Sequence, residues 1–162
     1  MSDDERDQVL RFVKDFAKPG ETLIAGTNAP HTKGVIANTR RAKEIGYDTV
    51  LLAVPFSAMA ELGPRLAPAL AGKVVLDAGN PFAARDGSAA LAVAAKGQGS
   101  GRWTAEQIPG ARVVKAFNTV YFKTLASAGQ ATGERVGIPL AGDDAAALEV
   151  AASLVRDAGL DP

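Results

Sequence analysis

The sequence predicts an α/β protein built on five mostly parallel strands, and three observations carry that prediction. The run "TVLLAVPF", Thr49 to Phe56, is continuous, apolar and closed by Pro55. A strand covered on both faces reads this way, whereas a strand with one wet face alternates. Further apolar runs lie near residues 22–26, 73–77, 111–116 and 136–141. Stretches of helical character separate them, and strands alternating with helices at this spacing indicate a parallel sheet. The 162 residues suffice for one domain with its own core, so 1–162 is read as a single unit.

The elements follow in order. Ser2 and Glu5 fit an S-x-x-E capping box. Val9, Leu10, Phe12, Val13 and Phe16 then give a helix with a broad apolar stripe, ended by "KPG". Thr22 to Ala25 read as a short strand, and "TNAPHTKG" as a loop. The next helix runs to about Ile45 and stops at Gly46. After the opening strand, "SAMAELGPRLAPAL" is helical with interruptions at Gly63 and Pro64, and "KVVLDAGNPF" is a strand ending in a turn. Residues 83–101 form a Gly/Ala-rich excursion with a helical turn or two. "WTAEQIPG" is a short helix, "ARVVKAF" a strand, and "NTVYFKTLASAG" a loop running into a helix. "RVGIPLAG" is the fifth strand, Asp143 the N-cap of the final helix from Ala145 to about Ala158. Right-handed crossovers that add strands in one direction put every crossover helix on one face. The other face is then bare and apolar, and the N-terminal helix, a second copy or further structure must cover it. A homo-oligomer is therefore the expected partner.

Composition narrows the function classes. Acidic and basic residues balance at 18 each, so no basic excess points to nucleic acid or an anionic membrane. There is no cysteine and one histidine, His31, which excludes thiolate catalysis, disulfides and a histidine metal cluster within one chain. No apolar run approaches the roughly 20 residues of a membrane span. The start "MSDDERDQVL" is acidic and helical, unlike a signal peptide, so the expected location is cytoplasmic.

Two sets of motifs meet at the opening strand. From Thr49 onward, "LLAVPF", "GKVVLDAGNPF", "GQGSGRW", "IPGARVVKAFNTVYF", "GIPLAGDD" and "LVRDAGLDP" occur in order. Residues 49–162 thereby resemble the dinucleotide-binding reductases related to NADPH-dependent deazaflavin-coenzyme reductases; "VVKAFNTV" joined to "DAGNP" is the specific part. The resemblance implies the second half of a Rossmann domain, with Val54-Pro55, Asn80-Pro81 and Asn118-Thr119 edging the nicotinamide side of the cofactor cleft. That family's first half carries a G-x-G-x-x-G turn, which this sequence lacks. "KGQGSG" has the wrong spacing and does not directly follow a strand, so it reads as a flexible loop.

Residues 4–56, with "ERDQVLRFV", "LIAGTNAPHT" and "TRRAKEIGYDTVLLAVPF", resemble instead a β/α fragment of the dihydrodipicolinate synthase and N-acetylneuraminate lyase family of TIM-barrel aldolases. That family's Schiff-base lysine and relay tyrosine lie on later strands, so its mechanism does not carry over. The expectation is a composite chain, aldolase-barrel-like over 1–48 and Rossmann-like over 49–162, folded as one mostly parallel Rossmann-like sheet.

The candidate site residues follow from this layout. Gly26, Thr27, Asn28 and Thr32 lie between the first strand and its helix, where a helix N-terminus with hydroxyl and amide donors can hold a phosphate; Lys33 adds charge, whereas Pro30 removes a donor. The alternative is an ordinary connecting loop. Asn80 and Asn118 follow strands directly and could read a carboxamide or ribose, or simply cap turns. Lys115 fits a structural ion pair with Asp77 better than a nucleophile, His31 a solvated residue better than a base, and Arg40 and Arg41 an exposed helix face. Asp143-Asp144 reads as a cap, not a metal pair, and Trp103 as an anchor for the Gly-rich loop. The function expected is an NAD(P)-binding oxidoreductase-like domain, with NADP(H) held weakly and a deazaflavin implied by resemblance. The alternatives are a non-catalytic chimeric scaffold and a class I aldolase-type lyase.

Overall fold

A computed structural model describes residues 3–19, 21–27, 32–128 and 134–162. Its sheet has four parallel strands in the order β1-β2-β3-β4: β1 Ile24–Gly26, β2 Thr49–Leu52, β3 Val74–Asp77 and β4 Arg112–Lys115. The helices are α1 Asp3–Phe16, α2 Thr32–Ile45, α3 Met59–Leu70, α4 Ala83–Ala95, α5 Ser100–Gln107, α6 Phe122–Ala128 and α7 Ala145–Asp157.

Strand register sorts the apolar residues onto two faces. Val50, Leu52 and Val75 point to one face, where Val35 and Ile36 of α2 meet Met59, Leu62, Leu66 and Leu70 of α3 and Ile108 after α5. Val74, Leu76 and Val114 point to the other, under Ala147 and Ala151 of α7. The strands are buried from both sides, which is why β3 reads as the unbroken run VVLD with all four residues buried.

The second face is thus covered over β3 and β4 by the C-terminal helix, which sequence reasoning did not put forward for that role. Over β1 the cover gives out: Ile24 remains 39% exposed. Helix α1 packs on α2, with Leu10 against the cluster of Ala25, Ala42 and Tyr47 at the edge of the sheet. The Tyr47 hydroxyl donates to the Leu10 carbonyl at 3.0 Å, and Arg41 pairs with Asp7 and Glu44, so Arg41 is engaged and not a free phosphate ligand.

Four expectations need correction. The fifth strand at 136–141 does not form; the segment makes two isolated bridges, Lys115 to Ala141 and Gly137 to Asp161. Pro139 supplies no N–H there, and a ladder cannot propagate through it. Residues 83–101 are not a mostly irregular excursion: Ala83–Ala95 is helical, with a kink at Gly87, and α5 begins at Ser100. Alanine-rich sequence favours helix once Val93 and Ala90 have a core to face. The cap of α7 is Asp144, not Asp143, and accepts a hydrogen bond from the Ala147 N–H at 2.9 Å. Helix α3 runs unbroken through Gly63 and Pro64. Gly63 is there for contact with α5, since a Cβ would fall 2.5 Å from that of Gln107. The capping box rests partly on Ser2, outside the described residues.

Candidate functional site at the strand ends

Because all four strands run the same way, their carboxyl ends share one edge of the sheet, where open α/β proteins bind ligands. Gly26-Thr27, Val54-Pro55, Gly79-Asn80-Pro81 and Phe117-Asn118-Thr119 leave the sheet there. Val54 is half-buried against the α2–α3 core, and Pro55 is exposed.

A polar network ties the last two strand ends together. Lys115 Nζ lies 3.1 Å from Asp77 Oδ2 and also donates to the Gly79 carbonyl, while the Gly79 N–H donates to Asp77 Oδ1 at 2.8 Å. Both side chains are at least nine-tenths buried. The ion pair expected from sequence is therefore present, and this lysine is committed to holding the turn. Gly101 lets α5 close over it, since a Cβ there would lie 2.6 Å from Lys115 Cγ. One turn further, Asn80 Nδ2 donates to the Asn118 carbonyl at 2.6 Å, and Asn118 Nδ2 donates to Asn80 Oδ1 at 3.1 Å. The two amides read each other, which neither sequence alternative foresaw. Phe117, just before, sits at φ 61°, a conformation L-residues adopt at a cost of about 1–2 kcal/mol and one that gathers at functional sites.

Asp86 joins the two middle strand ends and was missed from sequence. Its buried carboxylate accepts hydrogen bonds from the Ser57 N–H at 3.1 Å and the Phe82 N–H at 2.9 Å, so one side chain fixes the loops after β2 and β3. Arg85 grips the same carboxylate and donates to the Asn80 carbonyl at 2.6 Å. The Arg85 guanidinium, aided by the two backbone donors and opposed by burial, holds Asp86 well below the usual carboxylate range. The signal available was faint: an aspartate five residues after Pro81.

At the first strand end, Gly26 is exposed, with open space where a Cβ would stand, and Thr32 begins α2. Thr27 is 1% exposed, and among the described residues its hydroxyl has no hydrogen-bond partner. Asn28 and His31 lie outside the described residues. A cavity of about 680 Å³ opens on the far side, beside β4. Asn118 and Thr119 line it together with Lys115, Arg112 and the start of α5, but Val54, Pro55, Asn80 and Pro81 do not. Trp103 packs on the α2–α3 core and stacks on Phe56 at 4.2 Å between ring centroids, which ties α5 to the β2 end. Among the described residues there is no metal-binding group of three or more carboxylate, histidine or cysteine side chains, and no helix long and apolar enough to cross a membrane.

Comparison with known proteins divides along the chain. The profile of the dihydrodipicolinate synthetase family matches residues 1–61. Within that stretch the chain is 38% identical over 56 residues to a 4-hydroxy-tetrahydrodipicolinate synthase of Caldicellulosiruptor saccharolyticus and 39% identical to that of Staphylococcus carnosus. These matches cover 35% of this chain and 19% of each relative, so the chain spans about a fifth of their length. The fold as a whole is similar to other structures. A hypothetical protein from Sinorhizobium meliloti superimposes with TM-score 0.63 and 25% identity over 97% of this chain and 77% of its own. A candidate F420-dependent NADP-reductase from Arthrobacter sp. FB24 does so with TM-score 0.60 and 21% identity over 95% and 76%. The chain is composite in what it resembles: an N-terminal segment similar in sequence to the dihydrodipicolinate synthetase family completes a parallel sheet of Rossmann-like fold.

Proposed function

We propose that this protein is an NAD(P)-binding, reductase-type domain whose hold on the cofactor is weakened by the borrowed first βα unit. The observation that carries the reading is the convergence of four parallel strand ends on one edge, buttressed by Asp86 and by the Lys115–Asp77 pair. The nicotinamide half lies along Val54-Pro55, Asn80-Pro81 and Asn118-Thr119. The pyrophosphate lies at the start of α2, where the buried Thr27 hydroxyl supplies a donor in place of a glycine-rich cradle. NADP(H) is the cofactor this reading names. A deazaflavin is the second ligand, in keeping with the Arthrobacter neighbour. The cavity beside Asn118 and Thr119 is within the usual size range for such ligands. Hydride transfer is the cofactors' chemistry; the protein's share is orientation and exclusion of water.

NADPH titration followed through Trp103 emission tests this, because the indole stacks on Phe56, one residue beyond Pro55. Saturable binding with a Kd of about 0.1–1 mM is expected. Thr27→Val should weaken it several-fold while leaving stability unchanged or raised, since it removes an unpaired buried hydroxyl. Submicromolar binding, or none at several millimolar, contradicts the proposal. One observation favours a second reading, a non-catalytic scaffold: Asn80 and Asn118 are hydrogen-bonded to each other. That reading expects no response to NADPH.

A further inference from the structure

We propose, resting on the cofactor reading above, that Asn80 and Asn118 together read an amide edge of the ligand, an N–H beside a C=O. Asn118 makes the contact, and Asn80 positions it. Their hydrogen bonds fix which way both amides point. A backbone carbonyl only accepts, so the 2.6 Å bond to the Asn118 carbonyl requires Nδ2 of Asn80 as donor. Oδ1 of Asn80 is then the atom turned toward the other side chain, and its neighbour at 3.1 Å has to be Nδ2 of Asn118. Turning the Asn118 amide over would set two acceptor oxygens against each other.

These mutual bonds do not exhaust the pair. Asn118 keeps Oδ1 and one N–H of Nδ2, and among the described residues neither has a partner. Asn118 is half-buried and lines the cavity of about 680 Å³, whereas Asn80 stands behind it. An acceptor and a donor on one planar group complement a ligand group that carries a donor beside an acceptor, such as a carboxamide or a cyclic imide. A carboxylate brings two acceptors and no donor, and leaves Oδ1 of Asn118 facing an oxygen. The other charges of the cavity do not reverse this choice. Lys115 is committed to Asp77 and the Gly79 carbonyl, and Arg102 and Arg112 are offset by Asp143 and Asp144.

Support for the pair comes from behind it. Arg85 donates to the Asn80 carbonyl at 2.6 Å while gripping the buried Asp86, which in turn holds the Ser57 and Phe82 N–H groups. Phe117 stands at φ 61° immediately before Asn118, and the bond from Asn80 to the Asn118 carbonyl secures a turn that backbone preference alone disfavours. A reading group held by a second side chain gives up less freedom on binding than one that rotates. Asn80 is thus a positioning residue. Two ligands can supply the amide edge: a nicotinamide, through its carboxamide, and a deazaflavin, through the imide of its pyrimidine ring.

Isothermal titration calorimetry with two pairs of ligands tests this. NADP+ is compared with its nicotinic acid analogue, in which a carboxylate replaces the carboxamide. Deazariboflavin is compared with the derivative methylated at the imide nitrogen, which has lost the donor. The wild-type protein should prefer the amide-bearing member of at least one pair by about 10–100-fold, and the pair that discriminates names the source. Asn118→Asp should abolish that preference. Asn80→Ala should cut it to under about threefold, because the Asn118 amide can then turn over. A merely structural loss weakens both members of a pair alike and leaves the ratio unmoved. Binding without preference in either pair, or a preference that survives Asn118→Asp, overturns the proposal while the cofactor reading stands. No binding of any of the four ligands at several millimolar overturns both.

Discussion

Removing Asp77 should cost this protein far more than the loss of one hydrogen bond. Asp77→Ala deletes the 3.1 Å contact to Lys115 Nζ and the 2.8 Å bond from the Gly79 N–H, and leaves an ammonium whose side chain is 10% exposed with only the Gly79 carbonyl. Breaking a buried pair from one side costs about 3–5 kcal/mol. For a domain of this length each kcal/mol moves Tm by about 2–4 °C, so a fall of roughly 6–20 °C is expected. Lys115→Met, which keeps the stem against Gly101, should cost about 3 kcal/mol because the carboxylate is then the orphan. The double variant has no buried charge left to strand. It should be less destabilised than the sum of the singles by about 2–3 kcal/mol. Urea unfolding of the four proteins gives the cycle directly, provided the m-values agree. Additivity within about 0.5 kcal/mol, or a single variant costing under about 1 kcal/mol, would refute the buried-pair reasoning.

Two further outcomes follow from the loops and helices around that pair. Gly63→Ala places a methyl 2.5 Å from Gln107 Cβ and 2.6 Å from its carbonyl oxygen, so overpacking between α3 and α5 should lower stability by about 1–3 kcal/mol, read as a lower urea midpoint. Asp86→Asn should destabilise at neutral pH and less so in acid. The folded carboxyl is held low by Arg85, so its contribution is present above the unfolded value near about 4 and lost as pH falls through the folded one. Unfolding midpoints of the two proteins should converge below about pH 4; a constant gap down to the acid limit would show that Asp86 acts by shape alone.

The parts of the fold written in contiguous residues were legible. "TVLLAVPF" and "KVVLDAGNPF" form β2 and β3 because a strand buried on both faces needs an unbroken apolar run, and α2 ends at Gly46 as its sequence indicated. The pairing of Asp77 with Lys115 was legible too, since both sit at the ends of strands that become neighbours. What could not be read was decided by partners distant in sequence. The stripe on α1 spells a core-facing helix, yet Arg41 and Tyr47, more than 30 residues away, hold its other side. Asp86 looks like any residue of an alanine-rich stretch until Ser57 arrives beside it from 29 residues upstream. Asn80 and Asn118, each taken singly as a ligand reader or a turn cap, meet across 38 residues. The strand expected at 136–141 had the apolar content of a strand but placed Pro139 where a ladder needs a donor.

Strand order has a consequence for how such a chain can come to exist. In the sheet β1-β2-β3-β4 each strand touches only those next to it in sequence. A cut beside β2 therefore crosses a single ladder of three residue pairs, Ile24 with Thr49, Ala25 with Val50 and Gly26 with Leu51. Whatever βα unit is placed upstream has one backbone ladder to satisfy, which asks little of side-chain identity, together with the packing of its helix on α3. In an architecture whose central strand is flanked by units from both halves of the chain, the same exchange would have to match two seams at once. Here the sheet behaves like masonry laid in courses, in which the first course can come from another building.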